Sequence, residues 1–400
     1  MGRGRGTWGS AVVAATAMVA LCGCSPSPHA RPSSTPSSGT SAGGSSASAS
    51  SARSRTPSVT VTGSGDILLH SPLWREAAAY AKAAGRTGYD FDPMFVQVKS
   101  AISAADIAIC HQETPISSTD ADLSAPGSTS FNVPREIAGT LKRAGYDGCD
   151  AASNHTMDRG VAGIVSTRRQ LQAAGLKVAG PTGAPGPLGI PAMYEAKGVK
   201  VADLAFTYTL PNSATPTTHV PSDAPWLKAY LWPAIGASAI IADARAAKKA
   251  GADIVIVNIH WGKEGVQHPT PAQTTLAGRL LASPYVDAIF GTHAHVVQPC
   301  TTIHGKYVFY GLGNFISNQG PTRGGGQTDS NQDGVLAQIT FSKTASGIWS
   351  QRARYQPTHV DDADKHTVRL STPQSDPASW GRTKQAMNAL GSCPAVAAGS

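Results

Sequence analysis

From Val59 onward, short β-branched runs alternate with Ala-rich amphipathic stretches, and this alternation limits the fold more than any other feature of the chain. The runs are Val59–Thr62, Asp106–Cys110, Val199–Phe206, Asp253–Ile259 and Val286–Phe290. Between and after them lie Trp74–Ala84, Phe95–Ala104, Pro134–Ala144, Val161–Ala174, Ile235–Ala250 and Pro271–Ala282, which read as helices. Several stop at glycine, as in Ala144-Gly145, Ala174-Gly175 and Ala250-Gly251, the common end of a helix. The pattern predicts an α/β layered domain with buried sheets. Lys197-Gly198 between two apolar runs reads as a hairpin, which makes the sheets mixed, and Tyr307–Tyr310 and Gly334–Phe341 read as further strands. The domain is expected over residues 59–360. Residues 361–400 turn polar and lose periodicity, apart from a short helix around Ser379–Leu390, and read as an extension.

Residues 1–58 stand apart from this pattern. Arg3 and Arg5 precede the apolar stretch Ala11 to Leu21, which is too short to span a bilayer and ends in Leu21-Cys22-Gly23-Cys24. A basic start, an apolar core and a small residue before a cysteine read as a lipoprotein signal peptide over 1–23, with Cys24 as the lipidated thiol. Residues 24–58 are Ser, Pro, Ala, Gly and Thr with almost no apolar bulk, the composition of a flexible tether. The net charge of +8 shrinks on inspection: residues 1–58 hold five arginines and no acid, and 8 − 5 leaves +3 for the rest. No cluster of Lys/Arg with interleaved aromatics is present, so nucleic acid is not an expected partner. Four cysteines, Cys110, Cys149, Cys300 and Cys393, follow the signal region, and in an exported domain they favour disulfides. Three pairings are possible and sequence alone does not choose. Cys110 and Cys149 each close a short apolar run, which favours Cys110–Cys149 with Cys300–Cys393.

The placement of polar residues at strand ends carries the chemistry. Asp66 follows the first run and Glu113 the second; Asn154 and His155 follow a third, in Asp150-Ala151-Ala152-Ser153-Asn154-His155. His260 ends the most apolar run, and His293 and His295 follow Ala288-Ile289-Phe290-Gly291-Thr292. Ligands gather outside the carboxyl ends of strands in layered α/β folds, so these side chains are expected to converge. Carboxylates, an amide and imidazoles suit two divalent ions with one carboxylate bridging. In an extended His-x-His both imidazoles point the same way, and Gly63, Gly65 and Gly291 would let backbone approach the ions closely.

Gly65-Asp66, Glu113-Thr114-Pro115, Ser153-Asn154-His155-Thr156-Met157-Asp158, His260-Trp261-Gly262-Lys263-Glu264, Gly291-Thr292-His293-Ala294-His295-Val296-Val297-Gln298-Pro299 and Tyr310-Gly311-Leu312-Gly313-Asn314-Phe315 together resemble the CapA (PgsA-like) family of poly-γ-glutamate capsule proteins, in order over roughly Val59 to Ser317. That family is similar to calcineurin-like metallophosphoesterases, so the resemblance implies a four-layer α/β/β/α sandwich with mixed sheets. It implies Asp66, Glu113, Asn154, His260, His293 and His295 as metal residues for two ions of manganese, zinc or iron, with Glu113 at the bridging position. It implies His155 as the residue facing the scissile group and Asp158 as its orienting partner. The chain departs from that pattern where a first-motif Asp-x-His reads Asp66-Ile67-Leu68, and where the bridging aspartate is Glu113. His111, two residues before Glu113, offers a nitrogen in compensation. The implied protein is a metal-dependent hydrolase on the outer face of the bacterial cell membrane. It would make, transfer or trim an extracellular anionic polymer alongside capsule-synthesis membrane proteins. The alternative is a non-catalytic assembly or export factor with a vestigial metal site.

Overall fold

Along the strands of this protein, alternate side chains belong to different cores, and that division builds the layers. The computed structural model describes residues 56–398 apart from 187–189, 324–325, 363–364 and 392. The expected signal peptide, Cys24 and the tether up to residue 55 lie outside the described residues. Strands β1 (Ser58–Ile67), β2 (Ile107–Gln112), β3 (Gly148–Asp150) and β4 (Lys177–Ala179) run parallel, side by side, in a first sheet. The chain then forms a second sheet from β5 (Ala192–Ala196), β6 (Val199–Thr207), β7 (Ile254–His260), β8 (Ala288–Thr292), β9 (Val297–Ile303) and β10 (Lys306–Leu312), in the order β5-β6-β7-β8-β10-β9. It returns to the first sheet with β11 (Asn314–Ile316), β12 (Asp333–Lys343), β13 (Trp349–Val360), β14 (Val368–Leu370) and β15 (Val396–Ala397). The first sheet therefore runs β14-β13-β12-β1-β2-β3-β4, with β11 beside β1 and β15 beside β13. Both sheets are mixed: β12 pairs antiparallel with β1, and β5 and β9 are antiparallel edges of the second.

Val59, Val61, Ile107 and Ile109 of the first sheet share one buried core with Val201, Ile254, Ile256, Phe290 and Phe309 of the second. The intervening residues face outward. Ala108, Cys110 and Cys149 pack with Leu73, Ala77, Ile137 and Leu141 of the helices Ser71–Ala83 and Glu136–Ala144. On the other side Val255, Val257 and Ile259 pack with Ile240, Ala244, Ala277 and Leu280 of the helices Trp232–Lys249 and Pro271–Ala282. Helix, sheet, sheet, helix is the expected four-layer sandwich. The Lys197-Gly198 hairpin is present, joining Ala196 to Val199 with positive φ of 53° and 74° at its two turn residues.

Two segments differ from the expected pattern. The helix read over Phe95–Ala104 is two short pieces, Asp92–Phe95 and Lys99–Ser103, with β-branched Val96 and Val98 at the break. Residues 361–398, read as an extension, add to the sandwich: β14 and β15 pair with β13, and Ala386, Met387, Cys393 and Ala395 enter the core between the sheets. Cys393 is disulfide-bonded to Cys300 of β9, and Cys110 to Cys149 across β2 and β3. The Cys300–Cys393 bridge closes a loop of 93 residues. Replacing both of its cysteines by serine should cost about 2–5 kcal/mol, read as a lower melting temperature, whereas an unchanged melting curve would show that the C-terminal segment holds without it.

Candidate metal centre

The parallel pairing of the first sheet sets four polar side chains in one row. Asn314 of β11 is in register with Asp66 of β1, Asp66 with His111 of β2, and His111 with Asp150 of β3. Cross-strand neighbours lie within contact distance on one face, so the row is continuous. In the second sheet Thr207, His260 and Thr292 form a corresponding row across β6, β7 and β8. Glu113, Asn154, His155, His293 and His295 come from the loops that leave the strand ends.

All six residues read as metal residues meet in this space. His295 Nδ1 donates to Asp66 Oδ2 at 3.1 Å and to Asn314 Oδ1 at 3.0 Å, and its Nε2 lies 3.6 Å from Glu113 Oε1. The His293 backbone N–H donates to Asp66 Oδ1 at 3.2 Å. His260 Nε2 lies 2.9 Å from Asn154 Oδ1 and 4.0 Å from Glu113 Oε1. The His260 ring sits between those of His111, stacked at 4.9 Å, and His293, at 4.6 Å. The His-x-His segment is not extended as expected. It follows β8 with His293 at φ 93° and His295 at φ 54°, and this left-handed backbone aims the imidazoles. Nor do the glycines face the centre. A Cβ at Gly65 would lie 1.9 Å from Gly313 O, one at Gly291 2.0 Å from Tyr310 O, and one at Gly63 2.7 Å from the Phe290 ring, so they allow strands and sheets to approach.

Burial gives these groups unusual acid–base behaviour. Burial works against the charge of Asp66, but the hydrogen bond and charge of His295, with His111 and the His293 N–H, outweigh it and hold the carboxyl below its ordinary value. Burial pushes Glu113 up to about 7. Despite burial, Glu113 and Asp66 raise His295 to about 10, and Asp150, Asp66 and Glu113 raise His111 to about 9. Burial and the charge of His295 lower His293 to about 3, and burial with the surrounding imidazoles takes His260 well below its ordinary value. Burial and the charge of Asp150 push Asp203 well above the carboxylate range, with Asn258 donating to it at 2.6 Å.

The residues fit divalent ions. Both carboxylate oxygens of Glu113, His293 Nδ1 and His111 Nε2 are buried without a hydrogen-bond partner among the described residues, which is costly unless a cation or proton meets them. His260 Nε2, when it carries the proton, donates to Asn154 Oδ1 at 2.9 Å, and a cation between the two could take that proton's place. Among the described residues, three groups place one ligand atom per residue within 4.8 Å of one another: Asp66, His111 and His260; Asp66, Glu113 and His295; and Glu264, His293 and His295. Asp66 is common to two of them. His155 stands at the rim, its Nδ1 2.8 Å from Asp158 Oδ2, which also accepts from the Phe131 N–H at 2.6 Å. It lines a cleft of about 110 Å³ with His295, Glu264 and Asn212, next to a second of about 210 Å³ that shares His295, Glu264 and Gln319.

Sequence reasoning missed two contributors, Asp150 and Asn314. His111, noted there only as a nitrogen near Glu113, lies on β2, which continues past Cys110 through Gln112. Asp150 and Asn314 were visible only as members of motifs; their signal was position, one step before a loop and directly after Gly313.

Two facing mixed sheets with carboxylates, an amide and imidazoles gathered at the strand ends define a layered α/β domain with a candidate metal centre. The sequence profile described as bacterial capsule synthesis protein PGA_cap matches residues 60–319, which include all of these residues. The chain belongs to that family. It is 27% identical over 271 residues to PGA biosynthesis protein CapA of Bacillus subtilis (strain 168), covering 68% of this chain and 65% of that protein. It is 28% identical over 267 residues to capsule biosynthesis protein CapA of Bacillus anthracis, covering 66% and 61%. The matched region thus spans less than two thirds of either relative. Among solved structures it is similar to the calcineurin-like phosphoesterase YfkN from Bacillus subtilis, at 13% identity and a TM-score of 0.42, over 83% of this chain and 97% of that one.

Proposed function

We propose that this protein is an exported, lipid-anchored, metal-dependent hydrolase that acts in the synthesis, transfer or trimming of poly-γ-glutamate or a related extracellular anionic polymer. The observation that carries the hydrolase reading is the convergence of Asp66, Glu113, Asn154, His260, His293 and His295, with orphaned buried ligand atoms, beside a cleft bearing a carboxylate-oriented histidine. Divalent ions held by these residues would supply positive charge that lowers the pKa of water and offsets charge developing on a phosphoryl or carbonyl oxygen. His155, with Nδ1 fixed by Asp158, presents Nε2 to a bound group, where it can deliver a proton or balance charge on an oxygen. The family and its CapA relatives support the polymer, and partners in its synthesis machinery follow from the same reading. Ile67 and Leu68, both buried and apolar, favour the alternative of a non-catalytic assembly factor, because they give the first motif no imidazole.

Metal analysis of the purified protein, with a panel of phosphodiesters and γ-glutamyl peptides, tests this reading. At least one divalent ion per chain and turnover of one substrate class are expected; bound metal without turnover would favour the assembly factor. Affinity for the ion should also rise from pH 6 to pH 8. Glu113 and His295 hold protons up to about 7 and 10, and a cation must displace them, so the lower proton activity at pH 8 favours the ion. Equal affinity at both pH values would exclude these groups as ligands. For the anchor, Cys24→Ala should release the protein from the membrane fraction and abolish lipid labelling; labelling that persists would refute the assignment.

A further inference from the structure

We propose that His111 is a metal ligand of this chain through Nε2, and that Asp150 is the residue that positions it. The inference rests on the metal-centre reading above and names a ligand beyond its six residues. His111 and Asp150 are directly paired across β2 and β3, and His111 and Asp66 across β1 and β2, so the ring stands between two carboxylates. On one side, Nδ1 lies 2.7 Å from Asp150 Oδ1. On the other, Nε2 is 3.8 Å from Asp66 Oδ1, beyond hydrogen-bond distance. Nε2 is fully buried and has no hydrogen-bond partner among the described residues.

A histidine with a purely structural role in a core satisfies both nitrogens, because each unmet polar atom costs free energy. A metal-bound histidine instead gives one nitrogen to a carboxylate, which fixes the tautomer and ring plane, and leaves the other for the ion. His111 has that second arrangement. Its Nε2 also shares a compact group with Asp66 and His260, with ligand atoms within 4.8 Å of one another. Leu68, two residues after Asp66, lies in the helix-side core and offers no lone pair there.

The test uses the full chain, Mn²⁺ as the probe, and the variants His111→Ala and Asp150→Asn, with the melting temperature of each metal-free protein checked first. Free Mn²⁺ is followed by electron paramagnetic resonance, and nitrogen couplings to bound Mn²⁺ by its pulsed form. Asp150→Asn should weaken binding roughly 10–100-fold. His111→Ala should weaken it further and remove one nitrogen coupling. Folded His111→Ala protein with unchanged affinity and couplings would overturn the proposal; should that variant not fold, unchanged affinity in Asp150→Asn would do so. Wild-type protein that binds no Mn²⁺ would overturn the metal-centre reading and this inference together, whereas tight wild-type binding with unaffected variants would overturn this inference alone.

Discussion

Replacing His155 by alanine should leave the metal content of the protein unchanged and reduce turnover of its best substrate by roughly 10²–10⁴-fold, the range for loss of one positioned acid–base group. The separation of the two effects follows from geometry. His155 is absent from the three groups of converging ligand atoms, and it lines the cleft with Nδ1 committed to Asp158. Asp158→Asn should lower turnover less, since the imidazole remains while its orienting charge is lost. Metal analysis and steady-state kinetics on the same preparations decide the matter. Loss of metal in His155→Ala would move this residue into the ligand set, and full turnover would remove it from the chemistry.

The second large effect is expected at a residue with no side chain. A Cβ on Gly65 would lie 1.9 Å from Gly313 O and 2.9 Å from Leu312 O, both backbone atoms that no rotamer change can move. Gly313 O accepts the Asp66 N–H at 2.9 Å, so the contact that excludes the methyl group also holds Asp66 in place. Gly65→Ala should therefore destabilise the fold by at least about 3 kcal/mol and weaken metal binding with it. Thermal denaturation measures the first and metal titration the second. A variant with wild-type stability would mean that β1 can move away from Gly313 at little cost.

The layered fold and the convergence of these polar residues at strand ends were legible in the sequence for the same reason. An apolar run that ends in a carboxylate or imidazole breaks the hydrophobic pattern where a strand meets a loop, as at His260 after Ile254–Ile259. What escaped depends on register, which no single strand carries. His111 and Asp150 become functional neighbours only because β1, β2 and β3 align as they do. β13 escaped for another reason. Its Ser350, Arg352 and Arg354 face away from the core while Ala353 and Tyr355 enter it, so polar residues dilute the apolar signal along the strand. The turn at His293 and His295 escaped because positive φ in a non-glycine residue has no local sequence signal; surrounding contacts impose it.

The course of the chain through its two sheets also determines when the site can exist. β1 is an interior strand, and its antiparallel partner β12 arrives only after the whole second sheet, with Ser58 paired to Ser342 across 284 positions. The contacts of Asp66 with His293 and His295 span 227 and 229 positions. Contacts this non-local impose a large loop-closure entropy before they return any stabilisation, so the domain belongs among slow folders. A nascent chain that has reached only the end of the second sheet carries β1 with one edge open to foreign strands, and a fragment truncated before Asp333 retains that edge permanently.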